Sequence, residues 1–84
     1  MKPRKQPYGT KNISGARIES LRKQRKMKQA DLASQMQTLG VDINPSSLSK
    51  LEGQQRVATD LELRAIAQVL KVSIDELVPP LEAE

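Results

Sequence analysis

The sequence predicts an all-α domain of five short helices. Three observations carry that prediction. The apolar residues, 37% of the chain, are almost all aliphatic, with one Tyr and no Phe or Trp. A core of that kind is built from many small contacts between helices. Apolar positions recur at helical spacing between Ile18 and Leu77. Helix start and stop signals punctuate the chain at Gly40, Asn44-Pro45, Thr59-Asp60-Leu61-Glu62, Ser73-Ile74-Asp75-Glu76 and Pro79-Pro80.

The elements follow in order. Residues 1–11, MKPRKQPYGTK, hold two Pro, one Gly and four bases, and are expected to form a flexible basic arm. The folded domain is expected over residues 12–78. Its first helix runs from about Ser14, acting as the cap, to Arg25, with Ile18, Leu21 and Arg25 on one stripe. Arg22 lies beside that stripe and needs an acidic partner, because a buried unpaired charge is costly. The second helix covers about Gln29–Leu39 and buries Leu32, Ala33, Met36 and Leu39, with Gly40 as its C′ residue. Val41-Asp42-Ile43 is a short extended link.

The third helix covers Pro45–Glu52. Asn44 is its N-cap, and Pro45 stands at N1, where a missing N–H does no harm. At about 100° per residue, Leu48 and Leu51 face inward behind Ile43. Ser46, Ser49, Lys50 and Gly53 face outward, and Ser47 and Glu52 lie half covered on the flanks. Glu52 is thereby placed to pair with Arg22 and tie the first helix to the third. Thr59-Asp60-Leu61-Glu62 is a capping box that opens a fourth helix lasting to about Leu70, with Leu63, Ile66, Ala67 and Leu70 inside. Ser73-Ile74-Asp75-Glu76 opens a short fifth helix that must stop by Val78, ahead of Pro79-Pro80. Residues 79–84 form a short acidic tail.

At 84 residues there is room for one small domain. Cys and His are both absent, so there is no disulfide framework, no favoured zinc ligand and no expected cofactor. An enzyme is not expected, since no phosphate-cradling glycine loop or metal-ligand cluster occurs. Asp75 and Glu76 are adjacent on a helix and do not face one another. Single-stranded nucleic acid fits poorly with Tyr8 as the lone stacking platform. No apolar run approaches membrane length, no signal peptide is visible, and the arm lacks an apolar face for a membrane surface. A soluble intracellular protein is expected. Its charge is polarised: residues 1–28 hold ten bases and one acid, and residues 29–84 hold four bases and nine acids. Such a surface suits a polyanion docking on one side.

With these elements in place, RIESLRKQRKMKQADLASQM, SSLSKLEGQQR and TDLELRAIAQVLKVSIDEL together resemble the Cro/lambda-repressor-like helix-turn-helix DNA-binding domains of phage repressor type, over about residues 12–78. The resemblance implies a compact five-helix lambda-repressor-like fold with the helix-turn-helix at helices two and three. It implies a sequence-specific, double-stranded-DNA-binding transcriptional regulator of repressor type, bacterial or phage, working in the cytoplasm at the nucleoid. Ser46, Ser49 and Lys50 match base-reading positions, with Asn44 and Pro45 at the entry to the reading helix. Gln29 and Arg56 match phosphate-binding positions, and Lys28 and Gln54 are further phosphate candidates. Arg22 and Glu52 match a paired Arg and Glu in some members, the pair that the helical wheel reaches independently. The arm residues Lys2, Arg4, Lys5 and Lys11 are candidates to wrap the duplex or enter its minor groove.

The chain departs from the family in three places. Lys28 stands where Thr or Ser is usual, which loses a side-chain cap on the second helix. The connection from Met36 to Ile43 is about five residues longer than the common tight turn. Pro45 occupies a position often held by a long polar reader, and proline donates no hydrogen bond there.

One short helix binds weakly alone, so a homodimer on two half-sites about 34 Å apart is expected. Val72, Ile74, Leu77, Val78 and Leu81 are its apolar candidates, with Ile74 and Leu77 better read as core. No small-molecule ligand is evident. The competing reading keeps the fold as a protein-interaction module, antitoxin-like or factor-sequestering. The sparse reading helix and Pro45 favour it, whereas Lys28, Gln29 and Arg56 favour DNA.

Overall fold

The computed structural model describes residues 7–80. Five helices follow one another: α1 (Gly15–Gln24), α2 (Gln29–Thr38), α3 (Pro45–Glu52), α4 (Asp60–Leu70) and α5 (Ile74–Leu77). No strand occurs among the described residues. No described helix is long and apolar enough to cross a membrane. α2 packs on α4 and α3, while α1 closes the other side against α3, α5 and α4. Ile18, Leu32, Met36, Leu48, Leu51, Ile66, Leu70 and Leu77 are fully buried where these helices meet. Each such side chain contributes about 1.5–3 kcal/mol through burial.

The start of α1 departs from expectation. Ser14 is buried, and its hydroxyl does not cap the helix. The cap comes from Asn12, whose Oδ1 accepts from the N–H groups of Ser14 (3.0 Å) and Gly15 (2.8 Å). Its Nδ2 donates to the carbonyls of Leu51 (3.0 Å) and Arg56 (2.8 Å). One amide therefore caps α1 and fastens it to the far end of α3. The buried face is also rotated. Arg25 is exposed and Leu21 only half-buried, while Gly15, Ile18, Glu19 and Arg22 turn inward.

At α2, Leu32, Ala33 and Met36 are buried as expected, but Leu39 is 42% exposed, because the helix ends at Thr38 and the chain turns away. No side chain supplies the cap that a Ser or Thr would give, and Asp31 makes only the reciprocal bond, its Oδ2 accepting from the N–H of Lys28 (3.1 Å). The long connection is ordered by its own bonds. Gly40, at φ 88°, donates to Gln37, and Val41 donates to Met36. This is the double bond of a Schellman end. The Gln37 amide then donates to the Ile43 carbonyl (2.6 Å) and steers the chain into α3.

The same ending recurs at α1, α3 and α4. The left-handed residue is Lys26, Gln54 or Lys71 in place of glycine. Both halves of the Thr59–Glu62 capping box are made, Glu62 N–H to Thr59 Oγ1 (3.1 Å) and Thr59 N–H to Glu62 Oε1 (3.0 Å). In α4, Ile66, Ala67 and Leu70 are buried and Leu63 is half-buried. At α5, Glu76 accepts from the Ser73 N–H (3.1 Å). Leu77 is core, but Ile74 is 43% exposed and does not join it. The helix has a single turn, so its first residue stands clear of the α1 and α4 contacts.

Candidate nucleic-acid interface

The sequence reading turns on whether α3 has a bare side. Asn44 caps it, Oδ1 accepting from the Ser47 N–H (2.8 Å), and Pro45 opens the first turn. Leu48 and Leu51 are fully buried and anchor the helix on its inner face. Asn44, Pro45, Ser46, Ser49 and Lys50 are all exposed on the outer side. Gly53 is buried, not outward, because the chain pairs with another segment there.

The C-terminal end of α3 is fixed by Glu52, which is completely buried where the sequence places it half covered. Arg22 grips it in a two-pronged pair, Nε to Oε2 at 2.7 Å and Nη2 to Oε1 at 2.9 Å. Arg22 Nη1 also donates to the Met27 carbonyl (2.7 Å), which ties in the turn between α1 and α2. A carboxylate this deep is tolerated only with donors converging on it. The third donor is Gln29, whose Nε2 reaches Oε1 at 2.9 Å. Gln29, at the start of α2, thus already spends one amide N–H inside the protein.

Two other phosphate candidates are similarly engaged. Arg56 donates to Glu62 through Nη1 (3.1 Å) and Nη2 (2.5 Å), and to the carbonyls of Ser47 and Val57. Burial alone would raise the Glu62 carboxyl. The Arg56 guanidinium and the Thr59 N–H outweigh it and hold the group below its ordinary value. Gln54 uses both ends of its amide, Oε1 accepting from the Ala16 N–H (3.3 Å) and Nε2 donating to the Gly9 carbonyl (3.2 Å). Lys28 alone of the four stays exposed with a free ammonium among the described residues.

Of the arm residues, Lys2, Arg4 and Lys5 lie outside the described residues. Lys11 is exposed, but the chain around it is not loose as expected. Gly9 N–H donates to the Gly53 carbonyl (2.8 Å) and Lys11 N–H to the Gln54 carbonyl (3.0 Å). Tyr8 Oη donates to Glu19 Oε1 (2.6 Å). Glycine permits the close approach at Gly9, since a Cβ there would stand 2.3 Å from the Gln54 carbonyl oxygen. The sequence reading missed Asn12, Asp31 and Glu62 as partners. Only Glu62, the last residue of a recognised capping box, carried a signal that a carboxylate faces the segment before α4.

Of the dimer candidates, Val72 and Val78 are half-buried, Leu77 is core, Ile74 is exposed and Leu81 lies outside the described residues.

The chain is similar to the P22 c2 repressor, solved in complex with a synthetic operator, at 25% identity and a TM-score of 0.67, covering 80% of this chain and 94% of that one. It is also similar to part of the hydroxypropylphosphonic acid epoxidase of S. wedmorenis, at 31% identity and a TM-score of 0.67. That match covers 86% of this chain and 37% of the epoxidase. The iron(II) form of HppE matches at 28% identity and a TM-score of 0.71, over 90% of this chain and 38% of that one. A search of curated protein sequences gives no match. A family model described as a helix-turn-helix domain matches residues 15–78, from the first residue of α1 to just past the end of α5. That span is most of the chain, and with the repressor's fold beside it, the chain belongs to the helix-turn-helix domain family in its phage-repressor-like form.

Proposed function

We propose that the protein is a sequence-specific double-stranded DNA-binding regulator of transcription, a repressor in role, that inserts α3 into the major groove. The observation that carries this reading is the outer side of α3, where Ser46, Ser49 and Lys50 are exposed opposite Leu48 and Leu51. A helix of this width fits the major groove, where Lys50 can donate to guanine O6 and N7 and the serines are permissive. Phosphate contacts supply most of the affinity, with Lys28 the leading cation. Gln29, Gln54 and Arg56 serve as well only through the N–H groups their internal partners leave over. The reading includes a homodimer on DNA, no small-molecule ligand, no catalytic step, and a place in the cytoplasm at the nucleoid. The similarity to a repressor solved on its operator supports it.

A second reading, a protein-interaction module of the same fold, has one observation in its favour. The fold also makes up part of an epoxidase, 38% of the HppE chain, so it is not tied to operators alone. Selection of bound duplexes from a random pool, with a salt series on random duplex, separates the two. The DNA reading expects an enriched sequence with paired half-sites and affinity that falls steeply with salt. Affinity that is flat in salt, with nothing enriched, gives the protein-interaction reading instead.

A further inference from the structure

Between the C-terminal halves of α2 and α4 lies a hollow of about 250 Å³, lined by Gln35, Thr38, Leu39, Gln68, Val69 and Lys71. None of these residues belongs to α3, and none is acidic. Leu39 is exposed and Val69 half-buried, and the two supply its apolar surface. An apolar cavity of about 150 Å³ accepts a benzene-sized group, so this one has room for about two aliphatic side chains. One edge is a stripe of α4. Gln68 and Lys71 line the hollow, and Arg64 stands one turn before Gln68 on the same face. Arg64 and Lys71 are exposed, and neither has an ionic partner among the described residues. Their placement stands out against their surroundings. Residues 29–84 hold nine acids and four bases. Of those bases Lys50 lies on α3, and Arg56 is taken up by Glu62. The other two, Arg64 and Lys71, flank the same apolar hollow. Lys71 also sits at φ 59°, where glycine is the cheaper residue, so its side chain stands there against the preference of the helix end.

We propose that this hollow is a docking groove for an acidic amphipathic helix of another protein. Arg64 and Lys71 are two helical turns apart, about 10 Å along the axis. The partner that matches them carries carboxylates at i and i+7, with leucine-like residues at i+3 and i+4 between. All four positions fall on one face of a helix, the pattern by which such helices enter apolar grooves. Its apolar pair fills the space against Leu39 and Val69, and its carboxylates meet Arg64 and Lys71. The contact is small and belongs with weak, transient interfaces. It shares no residue with the outer side of α3, so it stands independently of the duplex reading and leaves that helix free.

Fluorescence anisotropy with the full chain and two labelled, stapled helical peptides tests this. The first peptide has Glu at i and i+7 and Leu at i+3 and i+4. The second has Lys in place of both Glu. The natural chain is expected to bind the acidic peptide about tenfold more tightly than the basic one at low salt. Arg64→Glu combined with Lys71→Glu is expected to reverse that order. Leu39→Ser is expected to weaken the acidic peptide about fivefold and to leave the order unchanged. Where circular dichroism shows that the double reversal has lost its helices, Arg64→Gln with Lys71→Gln replaces it, and the preference for the acidic peptide is expected to vanish. Equal binding of both peptides by the natural chain, or a charge-altered variant that keeps the acidic preference, overturns the proposal. Displacement of the acidic peptide by random-sequence duplex gives these cations to nucleic acid and overturns it too. So does sedimentation that finds the natural chain dimeric and Leu39→Ser monomeric, because a second copy then fills the hollow.

Discussion

The two ends of α3 are built on opposite plans. At the N-terminal end one side chain, Asn44, closes the first turn, and Pro45 and Ser46 stand in the open. At the C-terminal end Glu52 is fully buried under Arg22 and Gln29, Gly53 is paired to Gly9, and Asn12 holds the Leu51 carbonyl. The helix is bolted at one end and presented at the other. Its orientation is set by a buried charge and long-range hydrogen bonds. What it presents is decided by a few exposed side chains outside the core, so this surface can change with little effect on the domain.

The largest effect comes from breaking the bolted end. Arg22→Ala leaves a buried carboxylate without its cation and is expected to cost about 3–5 kcal/mol. A domain of this size loses about 4–8 °C of Tm per kcal/mol, so thermal unfolding followed by circular dichroism reads the effect directly. Replacing both partners, Arg22→Met with Glu52→Leu, is expected to recover most of the loss, because no orphaned charge remains.

The exposed outer side of α3, which carries Lys50 in its last turn, gives the contrasting result. Lys50→Ala is expected to leave Tm nearly unchanged, within about 0.5 kcal/mol. Under the duplex reading it costs about 1–3 kcal/mol of discrimination at one base position, measured by competition between selected and mutated duplexes. Asn44→Ala removes the cap at the N-terminal end of α3 and is expected to cost about 1 kcal/mol of stability.

The Arg56–Glu62 pair sharpens the comparison by pH. Burial raises the Glu62 carboxyl, but Arg56 and the Thr59 N–H more than offset it, so its folded pKa lies below the ordinary 4.5. A depressed folded pKa means that the contribution is complete above about 4.5 and is lost as pH falls through the folded value. Glu62→Gln is expected to flatten the stability profile in that acid window, as measured by urea unfolding at stepped pH. The smallest effect belongs to the helix ends. Lys71 sits at φ 59°, a conformation that glycine adopts freely. Lys71→Gly is expected to raise stability by about 0.5 kcal/mol, visible as a shift in urea midpoint with an unchanged slope.

Much of this was legible from residue order. The bounds of α3 follow from Asn44-Pro45 and Gly53, because cap chemistry is local. The Arg22–Glu52 pair follows from a helical wheel, because a charge beside a core face needs a partner. Gly40 marks the end of α2 for the same local reason, whereas Lys26, Gln54 and Lys71 end their helices identically and carry no such mark. The engagement of Gln29, Gln54 and Arg56 was illegible, since a residue type states what it can donate and not which acceptor the fold brings to it. Residues 7–11 read as loose because their composition is that of a linker. Their attachment depends on the main chain of residues 53–55, a pairing without periodicity or motif.

Tyr8 is the single aromatic side chain of the protein, and its hydroxyl rests on Glu19. The hydrophobic interior is therefore silent in the near ultraviolet. Any intrinsic absorbance or emission change reports the attachment of the N-terminal segment. A melt followed by tyrosine fluorescence tracks that segment while one followed by backbone dichroism tracks the helices, and a tyrosine midpoint below the dichroism midpoint shows without a label that the segment detaches first.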